Sequence, residues 1–236
     1  MPNITDWPAI AAAQARDASA RLPFFIADGG LACLAGSVAR AHLPALARWP
    51  LALQLADGAL TLSLPAAERK DFFTQANRRL HQDGLVIGWR DETYPVLAQH
   101  DGRLLATVER AASRFWGTTT FGAHCNGYVA DAGGRPAQLW IARRAYSKPT
   151  DPGLLDNLVG GGVPHGQTPA ECVLREGWEE AGLSPAQMQG LQPGRRFRVA
   201  RDTPEGFQLE VSASSTGPCR PGCSPSTRTA RCTAWR

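Results

Sequence analysis

The stretch Gly160 to Leu183 constrains this chain more than any other part of it, because it specifies a helix, its two ends and an anion-friendly loop in one run. Thr168 stands directly before Pro169 and three residues before Glu171, a capping box with proline at the first helical position. Gly182 provides a left-handed stop. The spacing therefore predicts a helix over Pro169 to Ala181. On it Glu176, Glu179 and Glu180 fall at i, i+3 and i+4, so their carboxylates share a face. Three like charges that close repel unless something neutralises them. The natural neutraliser is a hard divalent cation with oxygen ligands, Mg²⁺ first and Mn²⁺ second; the ordinary alternative is a solvated acidic face. Arg175 lies four residues before Glu179 and can orient that carboxylate. Gly160, Gly161 and Gly162 precede the helix, and a glycine-rich loop lets backbone N–H groups approach an anion closely. Together these are the ingredients of a metal-assisted phosphate site.

With 236 residues, 43% of them hydrophobic, the chain has enough material for one large domain or two small ones and is not disordered throughout. It holds no apolar run of spanning length, and its first twenty residues show no secretory signal, so a soluble cytoplasmic protein is expected. The formal charge of +4 comes from the tail: residues 212–236 carry Arg220, Arg228, Arg231 and Arg236 and no acid. Removing those 4 from 25 basic residues leaves 21 against 21 acidic ones. Neither nucleic acid nor membrane is implied as a partner; a small diphosphate-containing molecule is. Oligomeric state is not encoded in any pattern here. Cys33, Cys125 and Cys172 read as buried thiols. Cys219, Cys223 and Cys232 lack a fourth ligand nearby, which argues against zinc.

The expected fold class is α+β. Residues 1–20 suggest a short Ala-rich helix, Leu60 to Leu64 a strand, Ala66 to His81 a helix, and Asp101-Gly102 the turn of a hairpin. Residues 1–115 form an α+β domain without a legible chemical motif. From Phe121 two strands, Phe121 to Ala130 and Gln138 to Ala142, flank a turn at Asp131 to Pro136. A loop with Arg143, Arg144, Lys148, Asp156 and Asn157 leads to the glycines.

Gly161, Gln167 and the run Arg175-Glu176-Gly177-Trp178-Glu179-Glu180-Ala181-Gly182-Leu183 resemble the Nudix box. Gln167 replaces its first glutamate, and Gly177 an aliphatic residue, a change that weakens a helix by roughly 1 kcal/mol relative to Ala. Phe115-Trp116-Gly117, His124 to Tyr128 and Leu155 to Val159 resemble the Nudix subgroup associated with thiamine pyrophosphokinase, whose stand-alone members carry an amino-terminal domain of unknown function. The resemblance implies a Nudix α/β/α sandwich with a mixed sheet over residues 116–211. It implies Mg²⁺-dependent hydrolysis of thiamine diphosphate, or its oxidised analogues, to the monophosphate. Glu176, Glu179 and Glu180 would hold metal, with Glu176 as the base. Arg175 and Glu179 would assist, and the backbone of Gly161 and Gly162 would cradle substrate.

Other readings remain beside it: a Nudix hydrolase of another nucleoside-diphosphate derivative, a fold that binds without turnover, or, less favoured, isopentenyl-diphosphate isomerase with Cys125 as its reactive thiol. His124 and Cys125 read as packed strand residues, Phe115 and Trp116 as core, and His165 as a solvent-facing loop residue. Asn126 and Asn157 suit either a substrate contact or a strand end. Residues 212–236 contain no Val, Ile, Leu, Phe or Met and are expected to be a disordered, aberrant tail. We read it as the product of a one-nucleotide slip near Val211, since another frame of Pro218 to Arg236 admits the string LPAGLQPVNQDGEVHRV, similar to the same subgroup.

Overall fold

The computed structural model describes residues 8–147, 152–219 and 230–235, the last of these by backbone alone. Local turn chemistry builds the first sheet. After helix α1 (Pro8–Ala13), strands β1 (Arg21–Asp28) and β2 (Leu31–Ala39) are joined by Gly29-Gly30, with φ of +58° and +81°. Beyond the short helix α2 (Leu43–Leu46), strands β3 (Leu53–Ala56) and β4 (Ala59–Leu62) are joined by Asp57-Gly58, φ +51° and +72°. Two consecutive left-handed residues match the twist of a two-residue hairpin, hence the glycines. The sheet order is β2-β1-β4-β3, antiparallel except for β1 on β4, where Phe24 faces Leu60. Helix α3 (Ala66–Gln82) follows, then the hairpin β5 (Thr93–Leu97) and β6 (Leu104–Glu109) across the expected turn, and α4 (Ser113–Trp116).

The short amino-terminal helix expected within residues 1–20 is α1, and it stops well before β1 because Asp17 caps a separate turn: its carboxylate accepts from the Ser19 amide at 2.8 Å, and the chain then extends into β1. Phe24, Ile26, Leu62, Phe73, Leu80, Phe115 and Trp116 form one buried core. Arg69 of α3 is buried with it and bonded at each of its three side-chain nitrogens. It donates to the carbonyls of Leu64 (3.1 Å), Leu105 (3.0 Å) and Ala27 (2.8 Å) and to the Asp28 carboxylate (2.7 Å).

His42 is also buried, its ring stacked on Phe115 with centroids 4.6 Å apart. Burial pushes its imidazole below the ordinary value of 6.5. The folded ring therefore stays neutral where the unfolded ring already takes a proton. The stability this confers is full above the unfolded value and is lost as pH falls below it towards the folded one. Urea unfolding between about pH 7 and about pH 5.5 should show stability declining more steeply in the parent than in His42→Phe; parallel pH profiles would remove His42 from the account.

The chain divides into two compact units, residues 1–120 with 198–210 and residues 121–197 with 211–236. The boundary lies after Phe115 and Trp116 because both belong to the first core, where the Trp116 indole N–H donates to Asn77 Oδ1 at 2.8 Å. From Thr119 the chain forms β7 (Thr119–Ala130), β8 (Pro136–Arg144), β9 (Leu155–Asp156), β10 (Val159–Gly162), α5 (Pro169–Ala181), β11 (Gln192–Thr203), β12 (Gly206–Pro218) and β13 (Ala230–Trp235). The sheet runs β11-β12-β7-β8-β13, with β10 also on β7 and β9 also on β8. Helix α5 packs Cys172, Val173 and Ala181 into a core with Ala123, Cys125, Val159 and Val163. The architecture is the expected α+β class with an amino-terminal separate domain. Of the sandwich's two helical layers, the described residues of the second unit supply one, α5.

The tail departs from expectation. Residues 212–218 continue β12, with Ser212 fully buried, and residues 230–235 form β13, pairing antiparallel with β8. Strand pairing is made by backbone groups, so a segment of Ser, Thr, Ala and Gly can join a sheet without supplying a core face. Ser214 Oγ donates to the Arg195 carbonyl at 2.7 Å and Ser215 Oγ to the His124 carbonyl at 3.0 Å. Lys148, Arg220, Cys223, Arg228 and Arg236 lie outside the described residues.

Candidate active site

Helix α5 begins and ends where its sequence dictates. The Glu171 amide donates to Thr168 Oγ1 at 3.2 Å, the Thr168 amide to Glu171 Oε2 at 2.8 Å, and Gly182 closes the helix at φ +64°. This fixed frame sets the rotation of the acidic face. Strand β10 pairs with β7 so that Gly160 faces His124, Gly161 faces Ala123 and Gly162 faces Gly122. The glycines are thus in an ordered strand, not a loose loop.

The strand and helix meet through the glutamates. A Cβ on Gly161 would overlap the Glu176 carboxylate, so only glycine lets that side chain lie against the strand. The Gly160 amide donates to Glu180 Oε2 at 3.2 Å. Arg175 reaches both other carboxylates, Nη2 to Glu176 Oε1 at 2.8 Å and Nη1 to Glu179 Oε2 at 3.0 Å. The environments differ: the Glu176 side chain is 12% exposed and that of Glu179 51%. Burial pushes the Glu176 carboxyl up, with Glu180 and Glu179 adding to the shift, while Arg175 opposes it.

Glu176, Glu179, Glu180, Arg175 and Gly161 are therefore brought together around one end of β10. Among the described residues, no three His, Cys, Asp or Glu side chains converge as ligands of a metal ion. The donor set fits a hard cation in chemistry, three carboxylates beside backbone amides. In position, Arg175 and the Gly160 amide occupy the carboxylate oxygens named above.

The two departures from the box find structural reasons. Gln167 Oε1 accepts from Arg175 Nε at 3.5 Å, so the amide keeps the contact a carboxylate would make. Gln167→Glu should accordingly be tolerated, with Tm and activity at or above the parent's; a large loss of stability would show that this residue is wrongly placed. Gly177 is buried, and a Cβ there would overlap Met188 Sδ. Methionine fills the place of the missing aliphatic side chain, so the core contact is restored from eleven positions downstream.

His124 was legible only as a packed strand residue. In the structure its Nδ1 is buried, has no hydrogen-bond partner among the described residues, and lies where a Cβ on Gly160 would come within 2.8 Å of it. Its proximity to the glycines follows from strand register, which local sequence does not reveal. Asn126 and Asn157 bond each other at 2.5 Å. His165 is exposed, and Phe115 and Trp116 are core. Cys125 is buried, which pushes its thiol up and away from the reactive thiolate; a hydrogen bond with Ser215 opposes this.

Residues 122–221 match the NUDIX domain family, and residues 7–120 match a domain of unknown function, DUF4743. The chain is 38% identical over 133 residues to Nudix hydrolase 20, chloroplastic, of Arabidopsis thaliana, covering 55% of this chain and 35% of that protein. It is 41% identical over 105 residues to Nudix hydrolase 24, chloroplastic, of the same plant, covering 44% of this chain and 28% of that protein. The chain thus spans about a third of the length of these curated relatives. A crystal structure of DR0079 from Deinococcus radiodurans is similar at 22% identity and a TM-score of 0.40, over 60% of this chain and 82% of that one. Among the described residues no helix is long and apolar enough to cross a membrane.

Proposed function

Starting from a chain that carries a Nudix domain behind a DUF4743 domain, we propose that it is a cytoplasmic hydrolase of phosphoric anhydrides in small diphosphate compounds. Its substrate on this reading is thiamine diphosphate or an oxidised analogue. The observation that carries the hydrolase reading is the seating of Glu176 against Gly161, with Glu179 and Glu180 on the same helix face. Glu176, Glu179 and Glu180 would hold Mg²⁺, or Mn²⁺ in its place. Bound there, the cation supplies a Lewis acid for the phosphoryl oxygens and makes water a better nucleophile.

The chain's own residues do the rest. Arg175 holds Glu176 and Glu179 in their rotamers through its two donors. Gly162, next to Gly161 on which the Glu176 carboxylate lies, would leave the strand backbone open to the substrate's phosphate. Glu176 takes a proton from the attacking water. The new bond joins the water oxygen to the terminal phosphorus, and the bond from that phosphorus to the bridging oxygen breaks. Thiamine monophosphate and inorganic phosphate leave.

This reading also includes the frame shift downstream of Glu210, supported by the composition of residues 212–236. Sequencing the gene tests it: a single-base shift there must restore the string LPAGLQPVNQDGEVHRV. For the activity, the products formed with Mg²⁺ are separated by chromatography and compared over thiamine diphosphate, its oxidised forms, ADP-ribose, NADH and CoA. Cleavage of the thiamine compounds to the monophosphate is the expected result. Cleavage of the nucleotide compounds alone would overturn the thiamine assignment and keep the hydrolase.

A further inference from the structure

The amino-terminal unit contains a cavity of about 200 Å³ between α3, the segment before β5, and β6. One buried group on its lining lacks a partner. Asn77 is 1% exposed, and its Oδ1 accepts from the Trp116 indole. An indole N–H can only donate, so this bond fixes which way the amide points. Nδ2 is then the other end, buried and without an acceptor among the described residues. A buried donor left unmatched is destabilising, and an acceptor reaching it through the cavity would relieve that.

The rim of the cavity has its own character. Lys70, Thr74 and Arg78 stand at i, i+4 and i+8 on α3, and all three are exposed. Lys70 and Arg78 have no ion-pair partner among the described residues, whereas the two acids of the lining are engaged. Asp91 accepts from the Trp89 indole at 2.7 Å, and Glu109 from the amides of Arg90 and Ala111 at 3.0 and 3.2 Å. Trp89 supplies an aromatic wall and Thr93 and Thr107 supply hydroxyls.

We propose that this cavity is a second ligand site, taking a small planar ring with a carbonyl-type acceptor and an anionic group. The ring lies against Trp89, its acceptor meets Asn77 Nδ2, and the anion sits between Lys70 and Arg78. The site uses only residues of the amino-terminal unit, so it stands or falls independently of the hydrolase reading.

Uridine monophosphate is a suitable probe because it carries all three features; uridine and inorganic phosphate each carry part. The full chain, labelled with ¹⁵N, is titrated while the side-chain amide of Asn77 and the indole of Trp89 are followed. Uridine monophosphate should move both resonances saturably, with uridine and phosphate at least tenfold weaker. The exposed pair Lys70→Ala with Arg78→Ala should weaken binding at least tenfold with an unchanged Tm, and Asn77→Leu, if it folds, should abolish it. Unmoved resonances at millimolar uridine monophosphate, or equal affinity in the Lys70→Ala, Arg78→Ala protein, would overturn the site.

Discussion

Glu176→Gln and Glu179→Gln are each expected to lower diphosphate turnover by about two to four orders of magnitude, while stability stays within about 1 kcal/mol of the parent's. Both changes keep the shape of the side chain and remove the charge that a cation needs. They should not act alike in detail. Glu176 lies against Gly161 and touches Arg175, so its loss should fall on kcat. Glu179 is half exposed and shares the same arginine, so its loss should be partly restored by raising Mg²⁺. Steady-state kinetics across a range of Mg²⁺ concentration separates the two. Full activity in either variant removes the glutamates from the chemistry.

The largest stability effect is expected in the amino-terminal unit, at Arg69. Arg69→Leu strips four acceptors of their donor, three of them backbone carbonyls at the junction of β1, α3 and β6. Breaking a buried, fully bonded charge in this way costs about 3–5 kcal/mol. Arg103 also pairs with Asp28, but its side chain is 43% exposed, so Arg103→Ala should cost at most about 1 kcal/mol. Urea unfolding of the two variants measures the contrast directly. Similar losses in both would mean that burial is not what gives Arg69 its weight.

What the sequence disclosed follows the range of the interactions involved. Helix α5 was readable to the residue because its ends are set by Thr168, Glu171 and Gly182, all local to it. The hairpin turns at Gly29-Gly30 and Asp57-Gly58 are local in the same sense. The acidic face follows from helical spacing alone. Distant partners decide the remainder. Met188 explains Gly177, strand register brings His124 to Gly160, and packing against Asn77 places Trp116 in the first core and not the second. Composition alone misjudged residues 212–218 and 230–235, because strand pairing needs backbone donors and acceptors, which every residue there but proline supplies in full.

Glu176, Glu179 and Glu180 are expected to hold a divalent cation together, and a Mn²⁺ titration followed by electron paramagnetic resonance tests this most directly. The signal of free Mn²⁺ should fall as the parent protein binds it, and Mg²⁺ should compete. Each single Glu→Gln change should weaken binding at least tenfold (about 1.4 kcal/mol), with Gln167→Glu as the folded control. Equal binding in the parent and in the triple variant, or none in the parent at millimolar Mn²⁺, would contradict it.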